Sequence, residues 1–260
     1  MTLYLGLGAI AGLVAGLLGV GGGLIIVPVL ALLFARQGIA APVVMHLAIG
    51  TSLASIIFTS LSSVWAHHRR QSVRWRDVGR LAPGIVIGAW LGAALADTLP
   101  AAGLRQFFGL FELYVAIQMT FKIKPSPQRN LPGRTGMLGV GGLIGAISSV
   151  VGIGGGSFTV PFLSWCNVSM REAVGTSSAC GIPIAIAGAA GFVVAGWGEA
   201  GLPANSLGYV YLYALLGIAS TSILFAPLGA RLAHWLPADR LKQIFALLLY
   251  MLAAFMLFGE

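Results

Sequence analysis

The sequence predicts an all-α polytopic membrane protein made of two inverted structural repeats. Each repeat is a glycine-broken, re-entrant helix pair followed by three transmembrane helices. Three observations carry this. Of 260 residues, 58% are hydrophobic and 8% charged, against the roughly 25% charged residues that a soluble domain uses to solvate its surface. The chain repeats itself at long range. Its positive charges, 15 Lys and Arg against 7 Asp and Glu, lie in short gaps between apolar runs, where membrane orientation is set.

The first element is the apolar run 3–35, which is broken by GVGGG at 19–23 and carries Pro28 five residues on. Three runs long enough to cross about 30 Å of hydrocarbon follow, at 42–66, 81–96 and 104–121. A polar stretch then leads to a second broken run, 136–166, with GIGGG at 152–156 and Pro161, and to runs 174–195, 207–228 and 241–258. Gly19, Gly21, Gly22, Gly23, Val27 and Pro28 recur 133 residues later as Gly152, Gly154, Gly155, Gly156, Val160 and Pro161. Gly50-Thr51-Ser52 recurs as Gly175-Thr176-Ser177, and Leu99-Pro100-Ala101 as Leu236-Pro237-Ala238. One integral domain is expected: repeat 1–122, a cytoplasmic linker at 123–134, and repeat 135–260. Because the N-terminal segment has a second copy in mid-chain, it is expected to belong to the fold rather than to a cleaved leader.

Charge decides how the broken runs thread. If each crosses once, the 15 positive residues divide nine against six across the membrane, with Arg36, Arg105, Arg171, Arg231, Arg240 and Lys242 on the minor side. If each goes in and comes back, as a re-entrant hairpin or as two short crossings, the second half flips. Thirteen then lie on one side and only Arg36 and Arg105 on the other. The positive-inside rule selects the second threading, which makes the halves an inverted repeat and puts the Glu199 loop outside the cytoplasm.

Glycine runs between apolar stretches are poor continuous helix. They let the chain turn and bring bare backbone N–H groups close to a ligand, and the helix that starts after each adds free donors and a partial positive charge. Such ends bind anions. The candidate substrate-binding residues are therefore Gly21, Gly22, Gly23, Gly154, Gly155, Gly156 and Ser157, joined by the hydroxyls of Thr51, Ser52, Thr176, Ser177 and Ser178. Tight helix packing is the competing use of glycine, expected for Gly12, Gly16, Gly141 and Gly145. Bonding to their own helix carbonyls is the competing use of the hydroxyls. Glu112, inside the run 104–121 with no cation in adjacent turns, is a candidate for proton coupling. His46, at the start of its run, is a second candidate or an interfacial histidine. Trp165 and Trp197 are expected to anchor segment ends at the interface.

No metal site, cofactor or nucleic-acid partner is expected. Cys166 and Cys180 have no ligand spacing and read as buried thiols, and no two of the four histidines stand at HxxxH spacing. The basic stretch HHRRQSVRWRDVGR at 67–80 reads as a connector beside lipid headgroups. The expected partners are a small anion and the lipid bilayer, and a homodimer is left open.

The paired GxGGG-xxxVP motifs, the GTS triplets and eight hydropathy segments in two halves resemble the sulfite exporter TauE/SafE family of membrane transporters, across essentially the whole chain. The resemblance implies transport of a small sulfur-containing anion, such as sulfite, thiosulfate, an organosulfonate or sulfoacetate, across the cytoplasmic membrane. It also implies that Gly21 to Gly23 and Gly154 to Gly156 are the signature loops. One departure is the gap Arg36 to Met45, eight residues longer than its counterpart in the second half. The expected function is thus a multi-pass transporter, an exporter, working by alternating access around a midplane anion site between the loops. Two alternatives stand beside it. One is a non-transporting assembly or metal-delivery partner. The other is an intramembrane hydrolase with Ser157 as nucleophile and His46 as base.

Overall fold

The computed structural model describes residues 1–19, 21–121, 130–232 and 238–259. Most of the linker, including Lys122, Lys124 and Arg129, and the second Leu-Pro pair at 236–237 lie outside the described residues. The side chains of Arg240 and Lys242 do so as well.

The elements follow the expected order. In the first half, α1 (Thr2–Leu18) and α2 (Gly23–Arg36) flank the first glycine loop and are followed by α3 (Ala41–His68), α4 (Trp75–Thr98) and α5 (Ala101–Thr120). In the second, α6 (Arg134–Val151) and α7 (Gly156–Trp165) flank the second loop, before α8 (Met170–Ala195), α9 (Leu212–Leu232) and α10 (Ala238–Phe258). Among the described residues, α3, α4, α6, α8 and α9 are long and apolar enough to cross a membrane. α5 has the length, 20 residues, but Arg105, Gln106, Glu112 and Gln118 make it more polar. It hides part of that polarity inside the protein: Glu112 is fully buried, and Arg105 caps the end of α10 through the carbonyls of Phe255 and Gly259.

One boundary departs from the hydropathy. The run expected at 207–228 begins as a hairpin, β1 (Ser206–Leu207) paired with β2 (Val210–Tyr211), and helix starts only at Leu212. The chain turns at Gly208 (φ +53). The Tyr209 N–H then bonds to Phe192 O and the Tyr211 N–H to Thr51 Oγ1. Backbone donors satisfied from outside have no need of a helix, however apolar their side chains.

Small residues fix the packing of the two halves on each other. Gly8, Gly12 and Gly16 of α1 lie in turn against the backbones of Ile218, Ser222 and Ala226 of α9, so the two helices run in the same direction. Gly84, Gly88 and Gly92 of α4 lie likewise against Leu138, Gly142 and Ala146 of α6, and Gly141 and Gly145 return the contact on Leu81 and Ile85. A Cβ at any of these positions would strike backbone, which is the close approach that helices in lipid rely on for association. α3 and α8 cross antiparallel at the centre: Gly50 meets Phe192, Ser60 meets Gly181, and Ser63 bonds to Ser178. One apolar core continues through residues of both halves.

The halves are not identical in packing. Nine residues of α2 are buried, from Gly23 to Phe34, whereas α7 buries only Gly156, Thr159 and Leu163. Beside α7 an apolar groove of about 320 Å³ runs between Val140, Leu143, Ile147, Phe158, Phe162 and Trp165. The expected interfacial tryptophans, Trp165 and Trp197, are 38% and 71% exposed at the ends of α7 and α8.

Candidate functional site at the two glycine loops

The two glycine loops meet. A Cβ on Gly21 would sit 3.0 Å from the Cα of Gly154, and one on Gly23 would strike Gly152 O and Ile153. Around this contact lies a small cavity lined by Ala15, Gly19, Gly21, Thr59, Ser60, Ser63, Gly154, Gly155, Ser177, Ser178 and Gly181. Its volume is about 10 Å³, room for about one water molecule. This conformation is closed around it.

No charged side chain lines the cavity among the described residues. Its character comes from backbone and hydroxyls. α2 and α7 both begin at the loops, with Gly22 and Gly155 as their N-caps. The N–H groups of Gly21, Gly22, Gly154 and Gly155 donate to no described acceptor. The loops also receive the C-terminal ends of α1 and α6, whose carbonyls would repel an anion. The carbonyl of each C-cap is occupied: Ser177 Oγ donates to Gly19 O at 3.4 Å and Ser52 Oγ donates to Gly152 O at 2.8 Å. The result is an uncharged pocket beside loop N–H groups that have no acceptor among the described residues.

Ser178 bonds to its own helix, donating to Val174 O at 3.1 Å, but the other triplet residues reach across to the opposite half. Gly50 and Gly175 lie against the backbones of Tyr209 and Ser72, where a Cβ would strike the carbonyl. Thr51 Oγ1 accepts the Tyr211 N–H at 2.9 Å, and Thr176 Oγ1 accepts the Arg74 N–H at 3.0 Å. Ser52 and Ser177 then hold the loop carbonyls. Each triplet thus holds two pieces of the opposite half, a connector through its glycine and threonine and a glycine loop through its serine. Of the five triplet hydroxyls, counting Ser178, only Ser177 and Ser178 reach the cavity lining.

Of the expected loop residues, Gly21, Gly154 and Gly155 line the cavity. Gly22, at φ +80, packs on Ala11, and Gly23 packs on the other loop. Gly156 opens α7, and Ser157 Oγ has no hydrogen-bond partner among the described residues. The loops, alike in sequence, differ in conformation: Gly21 and Gly22 are left-handed, while Gly155 is right-handed. Sequence reasoning missed Thr59, Ser60 and Ser63. Their signal is present, since three hydroxyls at 59, 60 and 63 fall on one face of a helix.

Glu112 is fully buried, and neither carboxyl oxygen has a hydrogen-bond partner among the described residues. The neighbouring Phe111 stacks at 5.1 Å on Phe158 of α7, so this part of α5 lies beside the turn that leaves the second glycine loop. His46 stands elsewhere. Its ring stacks on Tyr209 at 5.0 Å, with its nitrogens 3.2 and 3.1 Å from Pro42 O and Ala96 O. Burial, with the charges of Glu199 and Asp97, pushes the Tyr209 phenol up to about 12, so that ring is neutral beside the imidazole. No hydrogen bond links His46 to Ser157, the pairing that a hydrolase would need. Cys166 and Cys180 are both buried.

At the opposite end of α3, the basic connector is held by the protein as well as facing outward. Arg70 donates to Ala230 O at 2.7 Å, Arg74 pairs with Asp77 at 2.7 Å, and Arg69 lies 4.9 Å over Trp65.

The family model for "Sulfite exporter TauE/SafE" matches residues 4–256. The chain is 39% identical over 255 residues to a "Probable membrane transporter protein" of Haemophilus influenzae, covering 97% of this chain and 96% of that one. It is 30% identical over 195 residues to the "Probable membrane transporter protein YdhB" of Bacillus subtilis, with 72% and 76% covered. A third relative, the "Probable membrane transporter protein MJ0441" of Methanocaldococcus jannaschii, is 26% identical over 272 residues, with 99% and 95% covered. No solved structure matches the chain. The family model over residues 4–256, with a 39% identical relative named as a probable membrane transporter across 97% of the chain, places this helical bundle in the sulfite exporter TauE/SafE family.

Proposed function

We propose that the protein exports a small sulfur oxyanion, sulfite or an organosulfonate, across the cytoplasmic membrane by alternating access around the cavity between the glycine loops. The observation that carries this is the meeting of two helix N-termini, with four loop N–H groups free of acceptors among the described residues and the two C-cap carbonyls, Gly152 O and Gly19 O, taken by Ser52 and Ser177. Such a pocket favours an anion without a basic side chain, and hence without locking the anion in place. The anion is held by the loop N–H groups of Gly21, Gly154 and Gly155 and the Ser60 hydroxyl, while Thr59, Ser63, Ser177 and Ser178 line the cavity with their protons given to other protein oxygens. At about 10 Å³ the cavity is the occluded form, and the halves must part to admit an oxyanion.

The helix directions support an inverted repeat. With α1 parallel to α9, α4 parallel to α6 and α3 antiparallel to α8, each glycine-broken run returns to the side from which it entered. Arg69, Arg70, Arg74, Arg76, Arg80, Arg134, Arg171 and Arg231 then share one face, and Arg36 and Arg105 take the other. The positive-inside rule makes the first face cytoplasmic. An inside-negative potential favours outward movement of one negative charge by about 2.3 kcal/mol per 100 mV, several tens-fold, so export needs no coupling ion. Glu112 is the residue on which proton coupling would rest. Its unpartnered carboxyl has to gain a proton or a cation whenever its surroundings close on it.

Purified protein challenged with a panel of anions tests the substrate class. Sulfite or a sulfonate should raise the melting temperature and chloride should not, whereas an assembly or metal-delivery partner would respond to none of them.

A further inference from the structure

The connectors that follow the two central helices are treated alike. After α3, the chain at 69–74 folds under α8, where Ser72 O lies on Gly175 and the Arg74 N–H bonds to Thr176 Oγ1 at 3.0 Å. After α8, the hairpin at 206–211 folds onto α3, where Tyr209 O lies on Gly50 and the Tyr211 N–H bonds to Thr51 Oγ1 at 2.9 Å. Because α3 and α8 are antiparallel, these are opposite ends of the same helix pair. One residue on, Ser52 and Ser177 grip Gly152 O and Gly19 O, the carbonyls at the back of the glycine loops.

We infer that Thr51 and Thr176 are two positioning residues that latch the protein shut at its two ends, each holding the opposite half's connector, and that alternating access consists of releasing one latch at a time. The adjacent serine links each latch to the loop of the opposite half, so opening an end disturbs the loop at the cavity. Both latches are made in the structure, in keeping with the closed cavity. The threonine hydroxyl accepts in both cases, so the latch is one hydrogen bond to a connector N–H, strong enough to hold and weak enough to release. The inference rests on the cavity being the transport site.

The test uses the full chain with Cys166→Ala and Cys180→Ala and a single reporter, Ser60→Cys, in the cavity lining. A membrane-impermeant thiol reagent is applied to right-side-out and to inverted vesicles. Thr51→Val should raise labelling from the hairpin side several-fold, and Thr176→Val should raise it from the Arg74 side. Thr51→Ser and Thr176→Ser, which keep the hydroxyl, should restore the parental pattern. A general loosening would raise labelling from both sides in every variant and would overturn the inference, as would no change in either. If a valine variant is not monodisperse in detergent, the alanine pair carries the same test. Anion stabilisation of the unsubstituted protein, with Ser60 in place, measured alongside, separates the two readings. If labelling becomes one-sided but no anion stabilises the protein, the latch stands and the anion site falls; if anions stabilise but labelling is unmoved, the latch falls.

Discussion

Ser52 Oγ donates to the carbonyl of Gly152 at 2.8 Å, across 100 residues of sequence and between the two halves of the chain. The same bond recurs between Ser177 and Gly19, longer at 3.4 Å. Each serine masks the carbonyl of a residue that ends a helix at the site. Replacing Ser52 with alanine therefore leaves a buried acceptor unpaired beside the anion. The expected result is weaker anion binding, on the order of 10-fold, together with a loss of about 1–3 kcal/mol in stability, read by titration and by melting in detergent. Ser177→Ala, with the longer bond and a place in the cavity lining, should cost less stability for the same loss of binding.

Gly155 and Gly22 separate function from folding. The atoms nearest a Cβ at Gly155 are side-chain atoms of Thr159, Ile184 and Cys180, at 2.9 to 3.7 Å, and the backbone there is right-handed. Gly155→Val should fold and lose more than 10-fold in flux. Gly22 has φ +80, and a Cβ there presses on the Ala11 backbone. Gly22→Val should lower the melting temperature before any question of transport arises. Equal melting temperatures for the two variants would contradict the assignment.

Gly88 has no part in the site. A Cβ there strikes the carbonyl of Gly142, so Gly88→Leu forces α4 from α6. The cost is at least the ~1–3 kcal/mol typical of overpacking. Loss of monodisperse protein is expected, and a fully stable variant would show that the α4–α6 contact is not tight in the membrane.

Glu112→Gln removes the one fully buried carboxyl of α5. If that group carries a proton during transport, flux driven by a pH gradient should fall to background while anion exchange persists. An unchanged pH-driven flux would remove Glu112 from the mechanism.

A reporter fused in the Glu199 loop should read extracytoplasmic and one at Arg69 cytoplasmic. Both on one side would break the inverted threading.

Much of the layout was legible from composition and repetition. Two broken runs and three following runs per half were visible because hydrophobic length and Gly-Gly-Gly leave strong marks on a sequence. The start of α9 was not, because Ser206 to Tyr211 is apolar yet spends its N–H groups on Phe192 and Thr51, partners that no local pattern announces. The triplets were recognised as a unit but not for what they do, since Thr51 and Ser52 point their bonds at residues 160 and 100 positions away. Thr59, Ser60 and Ser63 were readable from helical spacing alone. The unequal burial of α2 and α7 was not, because near-identical motifs gave two different environments.

Flux of labelled sulfite in proteoliposomes at a set membrane potential tests the central claim most directly. Saturable efflux that quickens as the interior is made negative, and that Gly155→Val abolishes, is the predicted result. Sulfite flux that neither saturates nor responds to Gly155→Val would contradict an anion site between the glycine loops.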